Sequence, residues 1–267
     1  MKTVFDRVSD FEIIDFHIHP FDAESNICAY RNGIDMSEED MISTLRASGI
    51  SRAAGSVIIT KGRERFNGVF DKQCAANRLA LKMRDASGGF FIPGFHINPN
   101  FVKESIEEIE FMASEGVRLI GELVPYHDGW DSFSHEGLHP ILEAAEHYGM
   151  AVSFHTMNAD TIDAMVKAHP GVTFVAAHPG EADQFYGHIE RMKRYDNLCL
   201  DISGTGLMRY HSLKLLVKEL GSERILFGTD YPTCNPASYV GGVLMEMLPD
   251  SDLENIFSKN AKRILGL

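Results

Sequence analysis

The strongest constraint on the fold is a regular alternation of short apolar runs with longer segments of helical period. Segments such as Ser105–Ser114 and Leu138–Tyr148 place apolar residues three and four positions apart, as a helix packed on a sheet requires. Eight such alternating units predict an α/β fold of the (β/α)8 TIM-barrel type, in which a parallel sheet closes on itself. The eight runs are Phe11–Phe16, Ala53–Ile59, Gly89–Phe95, Val117–Leu123, Ala151–Phe154, Val172–Ala177, Leu198–Ile202 and Ile225–Gly228.

The length of the chain and its lack of linker sequences favour a single domain that spans residues 1–267. A chain of 267 residues has the usual size of a single barrel, and no Pro/Ser-rich linker or low-complexity tract interrupts it. Ser37, followed by Glu39 and Asp40, predicts a helix N-cap, while Gly49 is placed to end that helix. The segment Asp22–Asp35 has no clear period and predicts a long loop over the mouth of the barrel.

Composition excludes several classes of function. The formal net charge of -13 opposes binding to nucleic acid, and no stretch approaches the ~18 apolar residues that a membrane span needs. The four cysteines are scattered without a regular spacing, which is typical of reduced thiols. These features predict a cytoplasmic protein that acts on a small molecule and binds neither nucleic acid nor membrane.

Two histidines separated by one residue, His17 and His19, stand at the end of the first predicted strand. Residues i and i+2 of a strand point to the same face, roughly 6–7 Å apart. Two imidazoles in that arrangement can bind one cation, although the pair alone is equally well explained as an accident at an exposed edge.

Residue types that bind metals also stand at the ends of three further strands. His155 ends the fifth run, His178 the sixth, and Asp230 follows the eighth. Because the carboxyl ends of all barrel strands meet at one rim, we expect these side chains close to His17 and His19. Singly, a histidine can be a satisfied core residue and an aspartate can cap a turn. Together they predict a metal site.

Several motifs follow one another over nearly the whole chain in the order IIDFHIHPF, LHPILEAAEHYGMAVSFHT, VTFVAAHPG, NLCLDISG, RILFGTDYP and IFSKNAKRILGL. They resemble the amidohydrolase superfamily, specifically its amidohydrolase-related branch that includes aminocarboxymuconate-semialdehyde decarboxylase. The resemblance implies a metal-dependent barrel enzyme in which His17, His19 and His155 ligate a divalent metal. It further implies that Asp230 both ligates the metal and transfers protons. His178 would be another ligand or a hydrogen-bond donor to the substrate.

Glu122, near the end of the fourth strand, has three open roles: ligand of a second metal, hydrogen-bond partner of a histidine, or paired core carboxylate. Many members of the superfamily carry a bridging carboxylate on this strand together with two metals, whereas the resembled branch generally has one. One ion or two therefore stays open. Imidazole and carboxylate ligands favour Zn²⁺, with manganese, iron or cobalt as alternatives.

Residues near the predicted mouth are candidates for substrate contact. His96 ends the third strand, and Tyr126 and His127 follow the fourth with aromatic faces that can line a pocket. Arg65 after the second strand and Arg209 after the seventh offer cations for a substrate carboxylate. For either cation alone, a solvated loop position is the simpler interpretation.

The predicted function is hydrolysis of an ester, lactone or amide bond in a small, carboxylate-containing metabolite. The metal would polarise the carbonyl and activate water, while Asp230 accepts the proton and delivers it to the leaving group. The alternative is a non-hydrolytic decarboxylase or hydratase on the same scaffold, since fold does not settle reaction type. A barrel that binds metal without catalysis is a third interpretation, and the complete ligand set argues against it. Members of the resembled family are often dimers, so a homodimer is also expected.

Overall fold

The computed structural model describes residues 3–22, 36–58, 70–156, 159–206 and 209–267. In these ranges eight parallel strands form one sheet, and neighbouring strands in the sheet are consecutive in the chain. The strands are β1 (Ile14–Ile18), β2 (Arg52–Gly55), β3 (Phe91–Phe95), β4 (Leu119–Leu123), β5 (Ala151–His155), β6 (Thr173–Ala177), β7 (Leu198–Asp201) and β8 (Ile225–Leu226). Each predicted apolar run overlaps one of these strands, which confirms the predicted barrel.

Helices separate the strands and surround the sheet. They are α1 (Glu38–Ala47), α2 (Phe70–Ala86), α3 (Val102–Ser114), α4 (Pro125–Asp128), α5 (Leu138–His147), α6 (Ala159–Ala168), α7 (Ala182–Arg194), α8 (Ser212–Leu220), α9 (Pro236–Met245), α10 (Asp250–Glu254) and α11 (Asn260–Leu265). A 3-10 helix (Phe5–Asp10) precedes β1, and a π-helical turn (Asn255–Lys259) joins α10 to α11. Over the described ranges, no helix combines the length and the apolar character needed to cross a bilayer.

The first helix begins where its sequence predicts. The Ser37 side chain accepts a hydrogen bond from the backbone N–H of Asp40, and the Asp40 carboxylate accepts one from the backbone N–H of Ser37. This reciprocal capping box satisfies two backbone donors that a helix start leaves unpaired. The loop predicted over Asp22–Asp35 lies, after its first residue, outside the described ranges.

Backbone hydrogen bonds join the first strand to the chain that follows the last one. The N–H of Phe16 donates to the carbonyl of Phe227 at 2.8 Å, and the N–H of Asp230 donates to the carbonyl of His17 at 2.8 Å. The sheet therefore curls until its two edges meet, as a barrel requires. The carboxyl ends of all eight strands consequently surround one opening.

Two clusters of buried apolar side chains hold the barrel and its helices together. The larger cluster lies between strands and surrounding helices and includes Phe154 of β5 and Ile141 of α5. The smaller draws residues from seven of the eight strands and packs with Ala261 and Leu265 of α11. Several members of the smaller cluster are the first residues of their strands, as Ile14 is in β1. The terminal helix thus packs at the end of the barrel away from the carboxyl ends of the strands.

Candidate metal centre

The six predicted ligands meet at the carboxyl ends of the strands. His17 lies in β1 and His19 directly after it, Glu122 lies in β4, His155 ends β5, His178 follows β6, and Asp230 follows β8. Although up to about two hundred positions separate them in sequence, the contacts below connect all six. Their convergence follows from the parallel order of the strands, since each strand delivers its last residues to the same rim.

Four of these residues form a first group of ligand atoms. Nε2 of His17 and Nε2 of His19 lie 3.2 Å apart, and Oε2 of Glu122 lies 3.5 Å from each. Oδ1 of Asp230 lies 3.2 Å from Nε2 of His19 and 3.9 Å from Nε2 of His17. Ligands at about 2.0–2.1 Å from a tetrahedral zinc ion lie about 3.3–3.4 Å from one another. The observed separations fit one divalent cation.

A second group of ligand atoms surrounds the other oxygen of the same carboxylate. Oε1 of Glu122 lies 2.8 Å from Nδ1 of His155 and 3.4 Å from Nε2 of His178. The two imidazole rings lie edge to face with their centroids 5.0 Å apart. Glu122 thus presents one oxygen to each group, which is the arrangement of a carboxylate between two cation positions.

The hydrogen bonds of His17 and His19 show which nitrogen of each ring can bind a cation. Nδ1 of His17 donates to Oδ2 of Asp201 at 2.9 Å, and Nδ1 of His19 donates to the carbonyl of Ser56 at 3.3 Å. In a neutral imidazole the other nitrogen then carries a lone pair. The two lone pairs point toward each other and toward the Glu122 carboxylate. Only a shared cation or added protons can satisfy such a group of acceptors.

The pKa values confirm that this cluster attracts positive charge. Burial opposes a charge on His17, but the carboxylates of Asp201 and Glu122 outweigh burial and raise the pKa of His17 well above its usual value. Burial alone would raise the pKa of Glu122, yet the imidazoles around it, His17 foremost, lower that pKa well below its usual value. A bound divalent cation would replace the protons that these imidazoles otherwise hold.

Two of the six residues have backbone conformations that L-amino acids rarely adopt. His178 has φ of 69° and Asp230 has φ of 61°, both in the left-handed region. Each such residue costs on the order of 1 kcal/mol or more and persists only where its surroundings hold it. For Asp230 the surroundings include the hydrogen bond from its N–H to His17. This backbone conformation directs both side chains toward the ligand groups, whereas extended backbone at the same positions would direct them elsewhere.

The three candidates for substrate contact that carry an aromatic or imidazole ring differ in exposure. His96 is buried, with 2% of its surface exposed, and its Nε2 lies 3.1 Å from the carbonyl of Val57. Tyr126 is 59% exposed and its ring stands edge-on to His155 at 5.9 Å between centroids. His127 packs beside Tyr126, with ring centroids 4.7 Å apart. Tyr126 is therefore the candidate that faces solvent next to the ligands.

Of the two candidate cations, the structure describes Arg209 alone. Arg65 lies outside the described residues. Arg209 forms an exposed ion pair with Glu181, with 2.7 Å between Nη2 and Oε2. Trp130, which follows these aromatic residues in the chain, is buried and packs edge-on against Phe133 in the core.

The sequence analysis missed three buried residues that support the ligands. Asp201 ends β7 and binds His17, Ser203 follows two positions later, and Asp15 accepts hydrogen bonds from the backbone and side chain of Thr229, next to Asp230. Asp201 could have been found by the rule that found the others, because it is a polar residue at the end of an apolar strand. Ser203 and Asp15 carry no such signal.

Comparison with known proteins shows the family and agrees with the fold. A family model described as amidohydrolase matches residues 14–267. Among curated proteins, no sequence relative matches the chain. The chain belongs to the amidohydrolase family and is a metal-dependent enzyme of that family.

Solved structures with the same fold have diverged far in sequence. A 5-carboxyvanillate decarboxylase from Novosphingobium aromaticivorans, complexed with manganese, has a TM-score of 0.67 at 16% identity, covering 96% of both chains. A 2,6-dihydroxybenzoate decarboxylase from Rhizobium has a TM-score of 0.74 at 15% identity, covering 96% of this chain and 99% of that one. A protein from Pseudomonas putida, proposed to be a 2-pyrone-4,6-dicarboxylic acid hydrolase, has a TM-score of 0.72 at 19% identity, covering 96% and 98%.

Proposed function

We propose that this protein is a hydrolase with two divalent cations bridged by Glu122. The observation that carries the proposal is the division of the Glu122 carboxylate between two groups of ligand atoms. A pair of cations in one site is typical of enzymes that add water across an ester, lactone or amide bond. The substrate we propose is a small metabolite that contains such a bond and a carboxylate.

The donor groups assign the ligands of each ion. His17, His19 and Asp230 would hold the first cation and His155 with His178 the second. Glu122 would give one oxygen to each, because its two oxygens face different imidazole pairs. This assignment selects the second-metal role among the three that the sequence left open for Glu122.

Each residue of the centre has a distinct task in hydrolysis. When bound, a divalent cation supplies Lewis acidity, which polarises a carbonyl and lowers the pKa of water. Asp230 is assigned to proton transfer, and its carboxylate accepts a proton from the attacking water and returns it to the leaving group. The strained backbone and the hydrogen bond to His17 keep Oδ1 of Asp230 beside Nε2 of His19, so the carboxylate does not turn away. His178, the other residue predicted to be catalytic, would bind the second cation through Nε2.

The chemistry of the ligands favours zinc. Four imidazoles and two carboxylates form a mixed nitrogen and oxygen set of the kind that zinc prefers. Manganese is the second candidate, since the 5-carboxyvanillate decarboxylase of the same fold was crystallised with manganese. Metal analysis of protein purified without added metal distinguishes them.

We propose that the substrate lies against Tyr126, whose exposed ring stands next to His155. His127, beside Tyr126, and His96 on the neighbouring side of the barrel are further proposed contacts. Arg65 stays a proposal for binding the substrate carboxylate. The cytoplasmic location and the homodimer also stay predictions, which fractionation and light scattering can test.

A lyase is the second candidate function. It is supported by two of the structures described above, which are decarboxylases of aromatic acids with the same fold. In that case the same ligands would hold one cation against the substrate while its carboxylate is lost as carbon dioxide. A hydratase is a variant of this candidate.

One experiment separates the two candidates. The protein, loaded with zinc or manganese, is incubated in ¹⁸O-labelled water with a panel of lactones, esters and amides that carry a carboxylate, and with hydroxylated aromatic acids. Hydrolysis predicts one solvent oxygen in the product and no carbon dioxide. Carbon dioxide released from an aromatic acid without solvent oxygen in the organic product would overturn the proposed hydrolase in favour of the lyase.

A further inference from the structure

Next to the candidate metal centre, one buried carboxylate and one buried hydroxyl contact imidazoles from two different strands. Asp201 ends β7 and Ser203 follows two positions later, and neither exposes any surface to solvent. They contact His17 of β1 and His178 after β6. Both imidazoles make these contacts through Nδ1, whereas Nε2 is the ligand atom of each ring.

The hydrogen bonds of Asp201 leave it only the role of acceptor. Its Oδ1 accepts from the backbone N–H of Ser203 at 3.0 Å and also lies in short contact with Oγ of the same serine. Its Oδ2 accepts from Nδ1 of His17 at 2.9 Å. Burial alone would raise the pKa of Asp201, but the imidazoles beside it, mainly His17, lower that pKa, so its carboxylate is ionised and has no proton to donate; the serine hydroxyl therefore donates to it.

The hydroxyl of Ser203 is then committed in a single arrangement. A serine hydroxyl has one proton and two lone pairs. Its proton is used by Asp201, so its oxygen must accept from Nδ1 of His178 at 3.0 Å. Nδ1 of His17 also lies 3.1 Å from this oxygen, but it shares its one proton with Asp201. Both imidazoles therefore keep a proton on Nδ1, which leaves Nε2 as the nitrogen that gives up its proton when a cation binds.

We propose that Asp201 sets the tautomer of both imidazoles, that of His17 directly and that of His178 through the hydroxyl of Ser203. Asp201 and Ser203 are positioning residues, since neither belongs to the ligands assigned above. A single buried carboxylate thereby prepares one imidazole of each cation position to bind through Nε2.

The packing around His178 supports this arrangement. Gly204 follows Ser203 with φ of 62°, and a Cβ at that position would lie 2.3 Å from Nδ1 of His178. A side chain at residue 204 would push the ring away from the hydroxyl. Glycine lets the chain pass so closely that Ser203 reaches Nδ1.

Two substitutions remove different parts of this network. Ser203→Ala deletes the acceptor for His178 but leaves His17 its bond to Asp201. Asp201→Asn keeps the shape but has one acceptor oxygen where the carboxylate has two. If the NH2 group faces His17, Nδ1–H loses its acceptor. If it faces Ser203, the serine hydroxyl loses its acceptor and must turn, and that hydroxyl lies 3.1 Å from Nδ1 of His17. Either orientation changes the surroundings of the His17 ring.

The test reads the tautomers directly and does not depend on turnover. Metal-free protein with ¹⁵N-labelled histidine is studied by long-range ¹H–¹⁵N correlation spectra at a pH above the last imidazole titration. We expect wild type to show protonated Nδ1 in His17 and His178. Ser203→Ala should shift His178 toward the Nε2-protonated form and leave His17 unchanged, while Asp201→Asn should alter His17. Wild-type His178 with its proton on Nε2, or an unchanged spectrum in Ser203→Ala, would overturn the proposal.

Metal affinity gives a second reading with a matched control. Competition with a chelator should show zinc binding weakened roughly 10–100-fold in each variant, as is usual for residues that orient a ligating histidine. Ser258→Ala is the control: Ser258 is buried in the π-helical turn Asn255–Lys259, and its hydroxyl donates to the carbonyl of Glu254 at 3.4 Å. It should leave the His178 spectrum unchanged. The inference rests on the proposed function only for the affinity measurement, because the tautomer spectra use metal-free protein. Wild-type protein that binds no metal would refute the proposed function and leave the tautomer result unchanged.

Discussion

The Oε1 atom of Glu122 lies 2.8 Å from Nδ1 of His155, across the boundary between β4 and β5. This contact gives the second oxygen of the carboxylate an imidazole partner on the side away from His17 and His19. Neither residue alone indicates two cation positions, because a strand-end glutamate and a strand-end histidine each have simpler explanations. The proposed two-ion hydrolase follows from their separation and from the placement of Oε2 against the other pair.

Replacing the proton-transfer carboxylate should abolish most turnover. Asp230→Asn keeps the backbone hydrogen bond to His17 and the size of the side chain, but an amide cannot accept the water's proton. We expect kcat to fall about 10²–10⁴-fold while the folded structure remains. The same charge change at the exposed Asp183 of α7 is the control and should leave kcat unchanged. Steady-state kinetics with normal turnover in Asp230→Asn would remove this residue from proton transfer.

Removing the exposed aromatic ring beside the ligands should weaken substrate binding. Tyr126→Ala deletes a ring that is 59% exposed and stands against His155, so the substrate loses an apolar face. We expect KM to rise roughly 3–10-fold with little change in kcat, since a contact of this kind contributes about 0.5–1.5 kcal/mol. Tyr186→Ala, with a ring 58% exposed on α7, is the matched control. Equal KM values in wild type and Tyr126→Ala would place the substrate elsewhere.

A buried histidine that is not one of the proposed metal ligands should make the fold sensitive to acid. Burial, helped by the nearby guanidinium of Arg191, lowers the pKa of His188 to about 3. An unfolded histidine takes up a proton near pH 6.5, so below that pH the unfolded state binds more protons and stability falls as the pH falls. Between pH 8 and pH 5 this one group should cost about 2 kcal/mol of unfolding free energy.

Urea unfolding of metal-free protein at the two pH values measures this loss. His188→Gln should lose about 2 kcal/mol less on acidification than wild type does, although its stability at pH 8 is lower because a buried side chain has been changed. His147→Gln, at an exposed position of α5, should follow wild type. The same acid loss in His188→Gln and wild type would show that His188 is protonated inside the fold.

The capping box of α1 should contribute a measurable part of the stability. Ser37→Ala removes the acceptor for the backbone N–H of Asp40 and should lower the free energy of unfolding by about 1 kcal/mol. Ser43→Ala lies in the same helix, is exposed and loses only a local bond to the carbonyl of Asp40. It should change stability by a few tenths of a kcal/mol at most. Equal effects of the two substitutions in urea denaturation would contradict the role of the cap.

The barrel could be predicted from sequence because each strand is an apolar run with its own boundaries. The same pattern placed His155, His178 and Asp230 at strand ends, and parallel order is enough to bring such ends together. The role of Glu122 could not be settled, since it depends on which way each oxygen of one carboxylate points. Ser203 was missed for a similar reason: a serine beyond a strand end has no distinctive pattern until its neighbours in space are known. Loop positions such as Arg65 have no periodicity that fixes them.

Metal content tests the central claim most directly. Wild type and Glu122→Ala are dialysed against zinc, freed of excess metal and analysed for zinc per chain, with circular dichroism to show that both are folded. The bridging role of Glu122 predicts two zinc ions per wild-type chain and at most one in Glu122→Ala. Wild-type protein that retains fewer than two zinc ions, or two ions retained in both proteins, would contradict it.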